Sequence, residues 1–264
     1  MAEWKPLKQD FSIWKKFDFK FPAVAIKYLY YKPEGVKQKE GHCALCEMFV
    51  EAGKADEPFY ITKDNEDCMG KVPLGWMGET PPYAHSGQIG EIFEIFEEPR
   101  ANQRLYDKFY GLTPGVVNYI LFAKLEDCFF EPDLIILAAE APDAEKIMRA
   151  YSYKKGKMWE PKATPVLDCS WLYAYPYVTG NINYVFTGMH FGMKARKVMP
   201  AGMLLMSIPF DWIPEITQNL QEMPWELPAY LYDTREDWVV EEEKAYEELA
   251  NRAGGENPFM KLDE

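Results

Sequence analysis

The chain has 264 residues, of which 48% are hydrophobic and 16% aromatic, which is enough to bury a sizeable core. A formal net charge of -13, with a sequence pI of about 4.9, repels phosphate backbones, so nucleic acid is not expected as a partner. No apolar run is long enough for a membrane span, and residues 1–6 lack the apolar segment of a secretory signal, so we expect a cytoplasmic protein with no membrane partner.

The spacing of apolar residues predicts alternating helices and strands along the chain. In order, the patterns predict a helix at 7–16, a strand at 24–30, a helix at 43–52, a strand at 59–62, helices at 89–96 and 100–110, strands at 116–125 and 134–139, helices at 143–153 and 164–175, strands at 183–186 and 203–208, and helices at 213–220 and 235–253. Residues 67–87 are rich in Gly and Pro and are predicted to be loop.

These elements predict an α+β fold, with one domain built on a mixed sheet flanked by helices. The sequence contains no convincing internal repeat and no linker long enough to separate two independent domains. We therefore expect an α+β domain over residues 1–222 and an acidic, largely helical extension over residues 223–264. The acidic helix of this extension favours a basic partner.

Four of the five cysteines lie at positions that favour metal binding or redox chemistry. Cys43 and Cys46 form a C-x-x-C pair where a helix is predicted to begin, and free N–H groups at a helix start favour thiolates. Cys68 and Cys169 could complete a set of four thiolate ligands from two further elements. Such soft donors suit an iron–sulfur cluster, including the 4Fe-4S type, or structural zinc. The scattered spacing favours the cluster, because a second C-x-x-C pair is missing.

Other interpretations of the cysteines remain open. Buried free cysteines commonly behave as small apolar residues and bind no metal, and Cys128 fits that role best. His42 precedes Cys43 and could act as its general base, which would make Cys43 a catalytic thiol. A histidine in this position is more often a capping or surface residue.

Two further segments are candidates for binding a cofactor or small ligand. Tyr175 and Tyr177 end a predicted helix in a Pro/Gly turn and could line a pocket, although a packed corner is the simpler interpretation. Gly188 and Gly192 interrupt a run with two basic residues, and their backbone N–H groups could hold a cofactor or an anion. This run matches neither phosphate-binding fingerprint.

Several motifs together resemble the family called domain of unknown function 169, which occurs in many anaerobic archaea and bacteria. The motifs are Pro22-x-Val24-Ala25-Ile26-Lys27, Phe59-Tyr60-Ile61-Thr62-Lys63, Cys68-x-Gly70, Leu74-Gly75, Val166-x-x-Cys169, Ala174-Tyr175-Pro176-Tyr177-x-Thr179-Gly180 and Ile208-Pro209. The resemblance covers roughly residues 17–222, and Lys71-Val72-Pro73 departs from it by replacing smaller residues. Some members are labelled as regulators, but nothing in this sequence supports DNA binding.

The resemblance implies that cysteines recur at positions like Cys43 or Cys46, Cys68 and Cys169, which favours a metal or cluster site. We therefore expect a cysteine-ligated iron–sulfur or other metal protein of anaerobic metabolism. Its role would be electron transfer or small-molecule redox chemistry, with a redox partner protein and with homo-oligomers as a further option. The alternative is a non-enzymatic small-ligand binding, accessory or regulatory protein with structural cysteines. In that case the ligand would lie near Tyr175 and Tyr177.

Overall fold

The structure is a computed structural model that describes residues 4–254, apart from the side chain of Ala253. Two compact units divide the chain after residue 222. The first unit contains the sheet and the candidate site. The second contains one long helix and a short 3-10 turn. Within the described range, none of the helices combines the length and apolar character that a bilayer crossing needs.

Seven strands form one mixed sheet in the first unit. They are β1 (Val24–Leu29), β2 (Lys37–Gln38), β3 (Phe59–Ile61), β4 (Tyr119–Lys124), β5 (Leu134–Ala139), β6 (Asn183–Phe186) and β7 (Leu204–Pro209). Their order across the sheet is β2-β3-β4-β1-β5-β7-β6. The β2–β3 pair is parallel, and every other neighbouring pair is antiparallel. Strand β1 therefore lies in the middle of the sheet, between β4 and β5.

The α-helices of the described chain vary from one turn to five. They are α1 (Leu45–Lys54), α2 (Pro82–His85), α3 (Gln88–Ile92), α4 (Pro99–Tyr106), α5 (Ala141–Ser152), α6 (Tyr175–Thr179), α7 (Phe191–Ala195), α8 (Ile213–Glu222) and α9 (Arg235–Ala253). A π-helical turn at Ser170–Ala174 leads directly into α6. Shorter 3-10 turns lie at Ser12–Lys16, Met69–Lys71, Leu125–Asp127, Phe210–Trp212 and Pro228–Leu231.

The central strands are buried on both faces of the sheet. Val24 and Ile26 of β1 pack in the main core with Leu45 of α1, whereas Ala25 packs in a smaller cluster with Phe130 on the other face. All six residues of β5 are buried. Burial on both faces explains why these strands read as continuous apolar runs rather than strict alternations. The expected α+β fold with a mixed sheet is confirmed.

The helix predicted at 164–175 differs from the structure at both ends. Leu167 has a φ of +64°, outside the helical region, so the helix begins only at residue 168. At the other end the helix continues through Pro176 to Thr179 instead of stopping before the proline. The chain passes this point by a π-type turn, in which Tyr175 N–H donates to the Ser170 carbonyl.

Other predicted elements also differ from the structure, and the helix predicted at 100–110 ends at Tyr106. The helix predicted at 7–16 is only the 3-10 turn Ser12–Lys16, and the helix predicted at 89–96 ends at Ile92. Glu94 has a φ of +54°, which prevents the helix from continuing to residue 96. The predicted loop at 67–87 contains a 3-10 turn and all of α2. Tertiary contacts rather than local periodicity set these boundaries.

Candidate thiol site and adjoining cavity

The loop before α1 is fixed by Asn65. Its Nδ2 donates to the carbonyl oxygens of Lys39 (2.8 Å) and Gly41 (2.9 Å), and its backbone carbonyl accepts from Cys43 N–H at 3.0 Å. Cys43 and Glu66 also form an isolated parallel bridge. Residues 65–66 therefore fix the loop that precedes the helix that carries Cys46.

Glu66 connects the segments of two cysteines. Its carboxylate is fully buried and accepts hydrogen bonds from Leu45 N–H (3.1 Å) and Cys68 N–H (2.9 Å). Leu45 is the first residue of α1, whose free N–H groups and dipole favour a carboxylate at this point. Burial raises the Glu66 pKa to about 7, and the two backbone donors oppose that rise. The Cys68 backbone is thereby joined to the helical turn that contains Cys46.

Cys169 lies in the first turn of the helix that follows Leu167. The next residue, Ser170, fixes this turn against another loop. Its Oγ accepts from Tyr110 N–H at 2.9 Å and donates to the Tyr110 carbonyl at 2.6 Å. The position of Cys169 therefore depends on residues well separated from it in the sequence.

Cys46, Cys68 and Cys169 lie close enough to affect one another electrostatically. Burial raises the pKa of Cys46 to about 12, and the neighbouring Cys68 adds to the effect. Burial likewise raises the pKa of Cys169 well above its ordinary value, with Cys46 and Cys68 contributing. Tyr173, which is fully buried, interacts with both Cys169 and Cys46 and donates to the Leu45 carbonyl at 3.1 Å. Cys46 and Cys169 are thus neutral thiols at neutral pH.

Cys43 lies to one side of these three cysteines. Its Sγ is 3.2 Å from Met48 Sδ, and burial raises its pKa to about 11. Lys39 and Glu47 are the charged groups that affect it most. His42 is exposed, and no hydrogen bond between it and Cys43 occurs in the described chain. The hypothesis of a catalytic Cys43 activated by His42 gains no support from this arrangement.

Cys68 and Cys169 border a cavity of about 270 Å³. Its lining is mainly apolar and includes Ile89, Phe93, Ile95, Tyr106, Val166 and Phe191. The Phe93 and Phe191 rings pack against each other with centroids 5.3 Å apart, and both side chains are partly exposed. Besides the two cysteines and Tyr106, whose side chain carries a hydroxyl group, three polar residues line the cavity: Asn102, His190 and Arg196.

His190 is a neutral hydrogen-bonding group in the cavity wall. Its Nδ1 accepts from Met193 N–H at 3.1 Å and caps α7, so the neutral ring carries its proton on Nε2. Burial lowers its pKa to about 4. Asp168 Oδ2 lies 3.7 Å from His190 Nδ1, and burial raises the Asp168 pKa well above its ordinary value. Burial thus disfavours the charged form of both groups.

Arg196 lines the cavity and lies close to Cys68. Its guanidinium lies 3.4 Å from a Glu47 oxygen and 3.6 Å from an Asp67 oxygen, and it interacts electrostatically with Cys68. Glu47 in turn accepts from Ala44 N–H at 2.7 Å, at the start of α1. A positive charge is thus held beside the thiols by two carboxylates.

The other candidate binding residues are dispersed. Tyr175 is buried against Tyr110, with ring centroids 4.9 Å apart, and Tyr177 packs on Tyr28 at 4.3 Å. Neither tyrosine belongs to the cavity wall described above. Gly192 does line that cavity, whereas a Cβ at Gly188 would lie 2.9 Å from Ala201 Cβ, which indicates close packing rather than a binding surface. Cys128 lies apart from the other cysteines, and its Sγ donates to the Phe130 carbonyl at 3.0 Å.

The donor chemistry of the site suits a soft metal centre, but its geometry is not that of a preformed ion site. Cys68 and Cys169 border the cavity, Cys46 interacts electrostatically with both, and thiolates are the usual ligands of iron–sulfur clusters. Within residues 4–254, no group of three or more His, Cys, Asp or Glu side chains is placed to hold a single metal ion. The thiols must lose their protons before they could bind any metal.

These features define an α+β protein with a cluster of buried thiols beside an apolar cavity. The chain belongs to the family called domain of unknown function 169, described as "Uncharacterised ArCR", whose model matches residues 12–219. No curated protein and no solved structure matches the chain. The family resemblance drawn from the sequence motifs is therefore confirmed.

Four polar residues of this region were missed by sequence reasoning: Glu66, Asn102, Asp168 and His190. Glu66 and Asp168 each lie within two residues of a candidate cysteine, which is the only local signal that could have drawn attention to them. Asn102 comes from a segment with no signal, and His190 lies between Gly188 and Gly192, in a run considered only for its backbone N–H groups. Their burial, at 0% and 8% exposure, depends on tertiary packing.

Proposed function

We propose that this chain is a cysteine-ligated iron–sulfur protein in which Cys46, Cys68 and Cys169 bind a cluster next to the apolar cavity. The observation that carries the proposal is the approach of three thiols from three separate segments to one place. Glu66 and Ser170, whose side chains bind backbone groups, fix these segments. Structural cysteines that only fill a core do not require such positioning.

A cluster suits the three thiols better than a single ion. Each thiolate of a cluster binds a different iron, so the sulfur atoms need not converge on one point as they do around zinc. Three protein ligands would leave one iron available to a small substrate. Cys43, at the side of the group, is the candidate for a fourth ligand.

The surrounding residues would tune such a site. When bound, a cluster supplies one-electron transfer or a Lewis-acidic iron. Arg196 lies beside Cys68 and would offset part of the negative charge of the thiolates. The apolar wall around Phe93 and Tyr106 would lower the local dielectric constant, which strengthens these interactions. Tyr173 would hold the Leu45 carbonyl and the first turn of α1 in place.

The test is anaerobic purification of the full-length chain, followed by measurement of iron, acid-labile sulfide and visible absorbance. We expect a brown protein, and we expect Cys46→Ser, Cys68→Ser and Cys169→Ser each to lose the colour and most of the iron. Cys128→Ser is the matched control and should retain both, because its thiol lies outside the site. Cys43→Ser decides whether a fourth cysteine takes part.

Two results would contradict the cluster proposal. A colourless protein that contains zinc would indicate a structural metal site. Iron content that is unchanged in Cys68→Ser or Cys169→Ser would remove that residue from the ligand set.

The proposal also places the protein in the cytoplasm, in anaerobic metabolism, with a redox partner that carries a basic surface complementary to the net charge of -13.

A second candidate function is small-ligand binding in an accessory or regulatory protein, with the cysteines serving as structural thiols. The raised pKa values of Cys46 and Cys169 support this alternative, because neutral buried thiols bind metal less readily. A folded, metal-free protein after anaerobic expression with added iron and sulfide would favour it over the cluster.

A further inference from the structure

Asn102 carries an unused hydrogen-bond acceptor. The residue is completely buried on α4 and lines the cavity. Its Nδ2 donates to the Gly87 carbonyl at 3.3 Å. Its Oδ1 has no hydrogen-bond partner in the part of the chain that the structure describes. A buried carbonyl oxygen without a partner is destabilising, so such groups call for a specific explanation.

The orientation of this amide is fixed by its surroundings. A Cβ placed at Gly90 would lie 2.6 Å from Asn102 Nδ2, so only glycine lets α3 approach the amide this closely. The nitrogen is held by Gly87, and a rotation of the amide that exchanged its two ends would put an oxygen against the Gly87 carbonyl oxygen. Asn102 therefore presents its oxygen as the free group.

The rest of the wall limits what can satisfy that oxygen. The rings of Phe93, Tyr106 and Phe191 suit a flat apolar body. His190 is uncharged here, and Arg196 is already paired with Glu47 and Asp67. A cavity of about 270 Å³ with these walls suits a molecule of about one substituted ring.

We propose that the cavity binds a small, uncharged aromatic molecule through an O–H or N–H group that donates to Asn102 Oδ1. This inference goes beyond the proposed cluster and does not depend on it, because Asn102 is not a candidate metal ligand. The carbonyl oxygen rejects molecules without a donor, since their binding would leave it unpaired.

Phenol, toluene and anisole test this proposal on the full-length protein by titration calorimetry. All three are ring-sized, but only phenol carries a hydrogen-bond donor. We expect phenol to bind roughly tenfold more tightly than toluene or anisole, the ratio that one net hydrogen bond provides. In Asn102→Leu the preference should disappear, with phenol binding no better than toluene.

Asn118→Leu is the matched control. Asn118 also donates from Nδ2 to a backbone carbonyl, that of Tyr30 at 3.0 Å, but it lies outside the cavity wall. It should retain the full preference for phenol. Equal affinities of the wild-type protein for the three probes, or no binding of phenol, would overturn the proposal, and this comparison decides the matter even if Asn102→Leu does not fold. If the protein contains no cluster but still prefers phenol, the cluster proposal fails and the proposal for the cavity stands.

Discussion

The Glu66 carboxylate accepts a hydrogen bond from the backbone N–H of Leu45, the first residue of α1, at 3.1 Å. Its second oxygen accepts from Cys68 N–H at 2.9 Å. One buried side chain thus connects the start of the helix that carries Cys46 with the loop that carries Cys68. Such a connection makes the geometry of the thiols depend on a residue that is not itself a thiol.

Replacing Glu66 should therefore be costly. We expect Glu66→Ala to lower the free energy of unfolding by about 2–4 kcal/mol, because two buried N–H groups lose their acceptor. Urea denaturation measures the change. Glu57→Gln is the control: Glu57 is exposed and pairs with Lys37 at 3.1 Å, so its replacement should change stability by less than about 0.5 kcal/mol. Equal effects of the two variants would show that Glu66 is not a structural anchor.

His190 should make stability sensitive to acid. Its pKa falls from 6.5 to about 4 on folding, so between these values the unfolded chain binds more protons than the folded one. Stability should therefore decrease as pH falls from 6.5 to 4, by up to about 3 kcal/mol from this group. Asp168, the neighbouring carboxyl, has a pKa that burial raises, so this group opposes the loss of stability as pH falls.

His190→Asn tests this prediction. Asparagine can still accept the Met193 N–H as an N-cap but does not titrate. We expect the variant to be within about 1 kcal/mol of wild type at pH 7 and to lose less stability on acidification. The measurement is a series of urea denaturations between pH 4 and 7. If the free energy of unfolding changes with pH in the same way in both proteins, His190 is not a source of the acid sensitivity.

Gly87 should tolerate no side chain. It has a φ of +81°, and a Cβ would lie 1.9 Å from the Pro99 carbonyl oxygen. We expect Gly87→Ala to destabilise the fold by roughly 3 kcal/mol or more, the sum of backbone strain and overpacking. Gly115→Ala is the control, since Gly115 has a φ of +78° but open space around it, and it should cost only about 1–2 kcal/mol. Thermal denaturation distinguishes the two costs.

The hydrogen bond between Trp14 and Thr217 should make a measurable contribution to the free energy of unfolding. Trp14 Nε1 donates to Thr217 Oγ1 at 2.8 Å in a buried setting, which connects the 3-10 turn Ser12–Lys16 with α8. Thr217→Val leaves the indole N–H unpaired and should cost about 1–3 kcal/mol. Trp14→Phe combined with Thr217→Val should cost less than the sum of the single changes, because the second removes a group that is already unpaired. Additive costs would mean that the bond contributes nothing.

The sequence predicted the sheet more successfully than the site. The apolar run of β5 and the helical stripe of α1 are local signals, and both elements occur close to where they were predicted. The short helices α3 and α4 form part of the cavity wall, but they are positioned by contacts such as that of Gly87 with Pro99 rather than by local periodicity. A pattern in the sequence cannot express such contacts.

The site shows the same limit. Spacing and residue type identified the cysteines as candidates, but not which of them lie together. Glu66 and Asn102 looked like ordinary polar residues, since only the tertiary structure shows that both are fully buried. Tyr175 and Tyr177 are of a residue type that commonly lines pockets, yet their rings pack on Tyr110 and Tyr28.

The central position of β1 has a consequence for synthesis of the protein. Both neighbours of this strand, β4 and β5, lie far later in the chain. At ordinary rates of translation, β1 leaves the ribosome roughly 5–20 s before β4 follows it. During that time the apolar run of Val24–Leu29 has neither of its hydrogen-bonding partners. The growing chain therefore exposes the unpaired backbone groups of β1 until the middle of the sheet is complete.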